Sequence, residues 1–168
     1  QGGDADTGAV TVSNYESTGT LTLGNSLNAG AVAITTKGTG GRTIALGTSA
    51  DVTSRAVTAS SLADGQTLTL TGDKAVTLTS GDADLAVGAY SGAVTATVDN
   101  ANAATFTIGT GATTVNTDGA GTLTVNGDAG GTAALTIQGG DADTGDVTVA
   151  DYESTGTLTL GNSLNAGA

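Results

Sequence analysis

"TLTLTGDKAVTLTSG", residues 67–81, holds two runs in which a large aliphatic returns at every second position: Leu68 and Leu70, then Val76 and Leu78. Successive side chains of an extended chain point to opposite faces. A period of two therefore gathers both aliphatics of each run on one face and leaves the threonines on the other. Threonine suits that outward place because its branched Cβ fits a pleated backbone. Between the runs lie Gly72, Asp73 and Lys74, residues of a tight corner. The stretch reads as strand, corner, strand.

The same unit recurs in both directions. Upstream are "AVTV" at 9–12, "TLTL" at 20–23, "AVAI" at 31–34, "TIAL" at 43–46 and "AVTA" at 56–59. Downstream are "DLAV" at 84–87, "AVTATV" at 93–98, "TFTI" at 105–108, a weaker "TTVN" at 113–116, "TLTV" at 122–125, "ALTI" at 134–137, "DVTV" at 146–149 and "TLTL" at 157–160. The segments between them are built from Gly, Asn, Asp and Ser, as in "KGTGGR", "SGDAD" and "NTDGAG". No segment shows a 3.6-residue apolar stripe, so no helix is expected.

Two all-β architectures place short strands and corners in this rhythm: a sandwich of antiparallel hairpins, and a β-solenoid (parallel β-helix) that stacks each strand on its equivalent one rung below. The solenoid is preferred. Its strands are short and nearly uniform, with two inward residues each. Its core residues are small or medium aliphatics that stack well in parallel ladders. A near-identical segment also returns far along the chain, which an open coil accommodates and a closed sandwich does not. A rung of two or three strands takes roughly 20–32 residues, and successive rungs rise by about 4.8 Å, giving a rod of roughly 25–40 Å.

That returning segment is long. Residues 1–31 and 138–168 are identical at 28 of 31 positions, differing only at Ala9/Asp146, Ser13/Ala150 and Asn14/Asp151. Residues 1–137 read as one tandem repeat unit and 138–168 as the start of the next. The unit holds about thirteen strand runs, an odd number, which two-strand rungs do not divide evenly.

Composition sharpens the picture. About a fifth of the 168 residues are threonine and 28 are glycine, against three tyrosines, one phenylalanine and no tryptophan or methionine. Such a chain fills a narrow, regular core, not a wide one. Its high glycine and charge lean toward disorder, but the ordered spacing of the aliphatics opposes that reading. No cysteine is present to staple the fold. Four basic residues, Lys37, Arg42, Arg55 and Lys74, stand against sixteen acidic ones, for a net charge of −12. That balance repels nucleic acid and anionic membrane and favours divalent cations. No apolar run reaches the roughly 18 residues of a spanning helix, so no membrane insertion is expected.

Carboxylates are the main chemistry on offer. "GDAD" occurs three times and places Asp4 with Asp6, Asp82 with Asp84, and Asp141 with Asp143. Asp-x-Asp in a glycine-rich corner can offer oxygens to a hard cation such as calcium, whose six to eight ligands would need neighbouring turns as well. Asp99, Asp118 and Asp128 sit in comparable corners. The simpler role for each is turn former and solubiliser. With no His and no Cys, the commonest bases and the thiol nucleophile are missing, and no enzyme is expected. Tyr15 and Tyr152 hold equivalent places in "YESTGT", with Tyr90 between them, as corner packing or as contacts between units. Thr22, Thr69, Thr77, Thr107, Thr124 and Thr136 take the outward slot between two aliphatics.

Long, acidic, cysteine-free tandem β-repeats of this kind resemble bacterial extracellular surface proteins: S-layer proteins, giant repeat adhesins and solenoid-forming fibre proteins. The resemblance rests on composition, the "TLTL" runs and the 137-residue return. It implies an extracellular or cell-surface location and a structural role in a fibre, stalk or surface layer, with adhesion as a further capacity. Separately, a solenoid cut between rungs presents unpaired strand edges, so self-association end to end or continuation of the same chain is expected. The calcium-binding nonapeptide of repeats-in-toxin proteins is absent, since "GGDADTGAV" keeps only its paired glycines. A second function reading is an ice-binding solenoid presenting outward threonine rows. Against it, alanines and uneven rung lengths are expected to interrupt the repeated Thr-x-Thr pair that an ice face wants.

Overall fold

The computed structural model describes residues 8–24, 30–49, 52–127, 132–140 and 144–161. It is all strand and corner, with no helix among these residues. One sheet is formed by β1 (Val10–Tyr15), β3 (Val32–Gly38), β5 (Arg55–Leu62), β7 (Val76–Ser80), β9 (Val94–Val98), β11 (Thr113–Thr117), β13 (Leu135–Gly139) and β15 (Leu158–Leu160), in that order. The other is formed by β2 (Thr20–Thr22), β4 (Arg42–Ala45), β6 (Thr67–Thr71), β8 (Asp84–Ala86), β10 (Ala104–Thr107), β12 (Leu123–Asn126) and β14 (Val147–Ala150).

Every pairing between neighbours is parallel. Odd and even strands alternate between the two sheets, so each rung holds two strands and the chain is a β-solenoid. The antiparallel sandwich is thereby excluded. Rung length varies: pairing advances from Val76 to Val94 in one sheet and from Arg42 to Leu68 in the other. The corners absorb the difference, because only the strands must stay in register.

The core lies between the sheets and follows the period of two. In the odd sheet, Val12, Ile34, Val57, Leu78, Ala96, Val115, Ile137 and Leu160 form one continuous ladder. In the even sheet, Leu68, Leu85, Phe106, Val125 and Val149 form another. Most of these residues are fully buried away from the two ends. Each buried Val or Leu contributes about 1.5–3 kcal/mol of transfer free energy, against the entropy of ordering the chain. A third inward row, near the ends of the odd strands, is smaller and partly hydroxylic. There Thr36, Ser80 and Thr117 donate to the carbonyls of Thr58, Ala83 and Gln138.

Corners stack as closely as strands, and this is where glycine is required. A Cβ on Gly111 would stand 1.9 Å from the carbonyl oxygen of Gly92 one rung below, and one on Gly145 would stand 2.0 Å from that of Gly121. Only hydrogen at Cα lets those backbones pass.

The 137-residue return has a geometric outcome. The copy of β1 is β14, and the copy of β2 continues as β15. In each pair the later strand is the thirteenth after the earlier one, so the second copy sits half a rung out of phase. Near-identical sequences therefore lie in opposite sheets while both sheets run on unbroken.

Candidate functional site

The outer faces carry two columns of side chains per sheet, about 4.8 Å apart along the axis and about 7 Å apart across it. On the odd sheet one column reads Thr11, Ala33, Ala56, Thr77, Thr95, Thr114, Thr136, Thr159. Beside it runs Thr35, Thr58, Thr79, Thr97, Asn116, Gln138. Thr77 with Thr79 and Thr95 with Thr97 are thus paired and in register on adjacent rungs. The uneven rung lengths do not break this array, because the excess residues leave through the corners. Alanine below, at Ala33 and Ala56, and amides above bound it. Gln138 Nε2 donates to Asn116 Oδ1 at 2.6 Å, continuing the column as an amide ladder. Of the six outward threonines named from sequence, Thr77 and Thr136 lie on this face, and Thr22, Thr69, Thr107 and Thr124 on the opposite one. A shallow depression on the odd face is lined by Ser54, Ala75, Thr77, Ala93 and Thr95, where small residues leave a gap beside the threonines.

The aspartates are placed less simply. Asp82 Oδ1 accepts from the backbone N–H groups of Ala101 and Asn102, at 2.7 and 2.8 Å, and Asp84 Oδ1 accepts from Thr105 N–H at 2.7 Å. Both carboxylates tie one rung to the next, Asp82 by accepting from two corner donors and Asp84 by accepting from Thr105 within β10. Asp99 is exposed and Asp118 half-buried, each at a corner. Asp4, Asp6, Asp128, Asp141 and Asp143 lie outside the described residues. Among the described residues no three acidic, His or Cys side chains gather as a metal cluster.

Two basic residues occupy places that the period of two assigns to the core. Arg42 stands in register with Leu68, and Arg55 with Val32, and both are buried. Arg42 closes the glycine-rich β3–β4 corner: its Nη2 donates to Lys37 O at 2.7 Å and its Nη1 to the carbonyls of Gly40 and Gly41. Its Nε reaches Tyr15 O, on the rung below, at 3.2 Å. Arg55 donates to the carbonyls of Ser49 and Val52, while its Nε has no partner. Clustering of the basic residues was legible in the sequence, but their inward position was not. The signal was available: each stands at the alternating slot of its strand.

Tyr90 is buried beneath the Gly72 corner, to which it is bridged, and its hydroxyl donates to Lys74 O. Burial pushes its phenol up to about 12, with nearby Arg55 pulling the other way and Asp73 adding to the rise. Tyr15 and Tyr152 make one local motif twice. Tyr15 Oη donates to Gly19 O, and Tyr152 Oη to Gly156 O. Ser17 and Ser154 accept from the N–H of those same glycines, at 3.2 and 3.0 Å. Asn14 and Asp151 precede them at φ 55° and 51°, a region that Asn and Asp tolerate better than other side-chain-bearing residues. The tyrosines are therefore corner locks.

The fold and these faces define a parallel β-solenoid with acidic corners and hydroxyl-bearing outer sides. No protein-family model, curated protein or solved structure matches the chain.

Proposed function

We propose that the chain is a segment of a rod-forming structural protein, extracellular or on a cell surface, assembled from tandem β-repeats as a fibre, stalk or layer, with adhesion as a further capacity. One observation carries this reading. The second copy of the repeated sequence enters the stack without interruption, its β14 pairing with β12 and its β15 with β13. A unit that can follow itself in register lengthens a rod without limit. The threonine faces and acidic corners keep such a rod soluble, and divalent cations bridging those corners would make its assembly cation-dependent.

The test is a series of proteins holding one, two and three copies of residues 1–137, each ended by residues 138–168. Electron microscopy and small-angle scattering should give rods of constant width, each added unit lengthening them by about 31 Å at about 4.8 Å per two-strand rung. Bodies that widen as units are added would refute the reading.

A second reading, ice binding, draws support from the in-register pairs Thr77/Thr79 and Thr95/Thr97. Thermal hysteresis with faceted ice crystals, lost in a Thr77→Lys, Thr95→Lys protein, would establish it. Freezing behaviour no different from that of albumin would dismiss it.

A further inference from the structure

We infer that the depression beside Arg55 on the odd face is a binding site for a small carboxylate that carries hydroxyl groups, a sugar acid or a hydroxy acid, with the Arg55 guanidinium as its counter-ion. It spans the starts of β5, β7 and β9, the third, fourth and fifth strands of the eight-stranded sheet, so it lies within the stack, with paired strands on both sides. It goes beyond the rod reading and does not depend on it. Charge, strand pairing and lining point to the ligand.

Arg55 is a buried cation that lacks an anion. It takes an inward place in register with Val32 and is 6% exposed. Its guanidinium donates to the carbonyls of Ser49 and Val52, the latter at a long 3.4 Å, and its Nε is buried without a partner. Among the described residues the ion pairs are Lys37–Glu16 and Lys74–Asp73, and neither involves Arg55. Arg42 makes the contrast: each of its three nitrogens donates to a carbonyl, and it needs no further partner. A buried charge held by neutral acceptors alone keeps much of its desolvation cost, and an unpaired buried donor adds to it. A bound oxyanion relieves both.

The ladder is open at this place. Val32 pairs with Arg55 on one side of β5, and Val76 pairs with Val94 on the far side of β7, but β5 and β7 begin to pair only at Ala56 and Thr77. The pair Arg55–Val76 is missing from the stack, and both residues line the depression, whose volume is about 200 Å³. That is room for a molecule of a few carbons or one sugar ring. With no ladder pair holding Arg55 to Val76, a small parting of the two strand ends brings a ligand oxygen to the Nε–H. Ala75 and Ala93 keep the approach from outside clear, since each side chain is a single methyl.

The lining selects among anions. Thr53, Ser54, Thr77 and Thr95 surround the depression with exposed hydroxyls, each able to donate and to accept. They match hydroxyl groups on a ligand, and none of the lining residues is aromatic, so nothing there stacks on an aromatic acid. The guanidinium only donates, so it asks for an oxygen acceptor, and an ionised one binds it most strongly. The chain carries a net charge of −12, which repels a dianion such as phosphate about twice as strongly as a monoanion. A carboxylate meets the need with a single charge. Lys74 and Asp73, beside Ala75, lie 3.6 Å apart and cancel, so Arg55 sets the sign of the site.

Titration of the 168-residue chain with glucuronate, glycerate, acetate and glucose tests the proposal, followed by calorimetry and by the nuclear magnetic resonance signal of the Arg55 Nε–H. Glucuronate and glycerate should move that signal downfield and slow its exchange with water, and the tighter binder of the two identifies the source of the ligand. Acetate should bind several-fold more weakly, and glucose should leave the signal unmoved. Arg55→Met should weaken glucuronate and glycerate by about tenfold or more. Thr77→Val with Thr95→Val changes exposed side chains only. It should weaken the same two acids several-fold and leave acetate unchanged, with an unaltered circular dichroism spectrum. An Nε–H signal indifferent to every carboxylate, the mark of a donor held by water alone, would overturn the proposal. So would glucose binding as well as glucuronate, acetate binding as tightly as either hydroxylated acid, or undiminished affinity in Arg55→Met.

Discussion

Val12 and Val149 hold the same place in a repeated stretch of sequence and lie on opposite walls of the solenoid. Val12 pairs with Ile34 in the odd sheet, and Val149 with Val125 in the even one. Local sequence sets strand and corner equally well on either wall, because each wall asks only for an aliphatic inside and a small polar residue outside. The side is assigned by counting strands from the start of the stack. A unit with an odd number of strands turns by half a revolution at each return, so any feature of one face reappears on the other.

The inside and outside assignments separate sharply at neighbouring positions of β6. Leu68 is fully buried and Thr69 faces outward. Leu68→Asp should cost on the order of 3–5 kcal/mol as an unpaired charge in an apolar ladder, whereas Thr69→Ser should change stability by a few tenths. Urea unfolding of both proteins checks this, and equal midpoints would contradict the assignment.

The two buried arginines should respond differently to removal of charge. Arg42→Met leaves the carbonyls of Lys37, Gly40, Gly41 and Tyr15 without the donor they now share. A loss of about 3 kcal/mol is expected, at 1–3 kcal/mol for each buried group left unsatisfied with partial relief by water. Arg55→Met removes a guanidinium whose Nε is unpaired and puts a thioether in an otherwise largely aliphatic ladder. Its cost should be well below that of Arg42→Met. Thermal melts of the pair decide the order.

Glycine at the stacked corners should be indispensable only where backbones meet. Gly111→Ala forces a methyl against the Gly92 carbonyl and should cost about 1–3 kcal/mol or more. At Gly88 the nearest atom to an added methyl is 3.7 Å away, so Gly88→Ala should be nearly neutral. Comparable losses at the two sites would show that the corners are not packed as described.

Tyr90 supplies an alkaline limit to stability. Its folded pKa, about 12, lies above the unfolded value of 10.0. Between these values the unfolded chain has released the proton and the folded chain still holds it, so stability is full below pH 10 and falls as pH rises toward 12. The loss should approach 2–3 kcal/mol, at about 1.4 kcal/mol per unit. Chemical denaturation at pH 9 and pH 11.5 should show a steeper decline in the native protein than in Tyr90→Phe. Parallel declines would place the phenol in solvent.

Much of this architecture is legible in the residues alone. Paired aliphatics such as Leu68/Leu70 and Ile44/Leu46 disclose strands, since only an extended chain sends alternate side chains to one side. "YESTG" likewise shapes its own corner, because the tyrosine and serine bond the glycine four and two residues on, although Tyr152 and Ser154 also reach Ala133 O on the neighbouring rung. The aspartates are held by distant partners: the donors to Asp82 and Asp84 come from Ala101, Asn102 and Thr105, about twenty residues on. No local spacing announces a partner one rung away.

The period of two, the corners and the narrow aliphatic core are written in neighbours a few residues apart, and the return of one unit after 137 residues is read directly from the chain's order. That rungs hold two strands, that Thr77/Thr79 and Thr95/Thr97 align across rungs, and that the repeat changes walls came from the three-dimensional fold alone. These depend on register between residues far apart in the chain. That register is chosen by ladder hydrogen bonds and close-packed side chains acting together, and no single strand carries it.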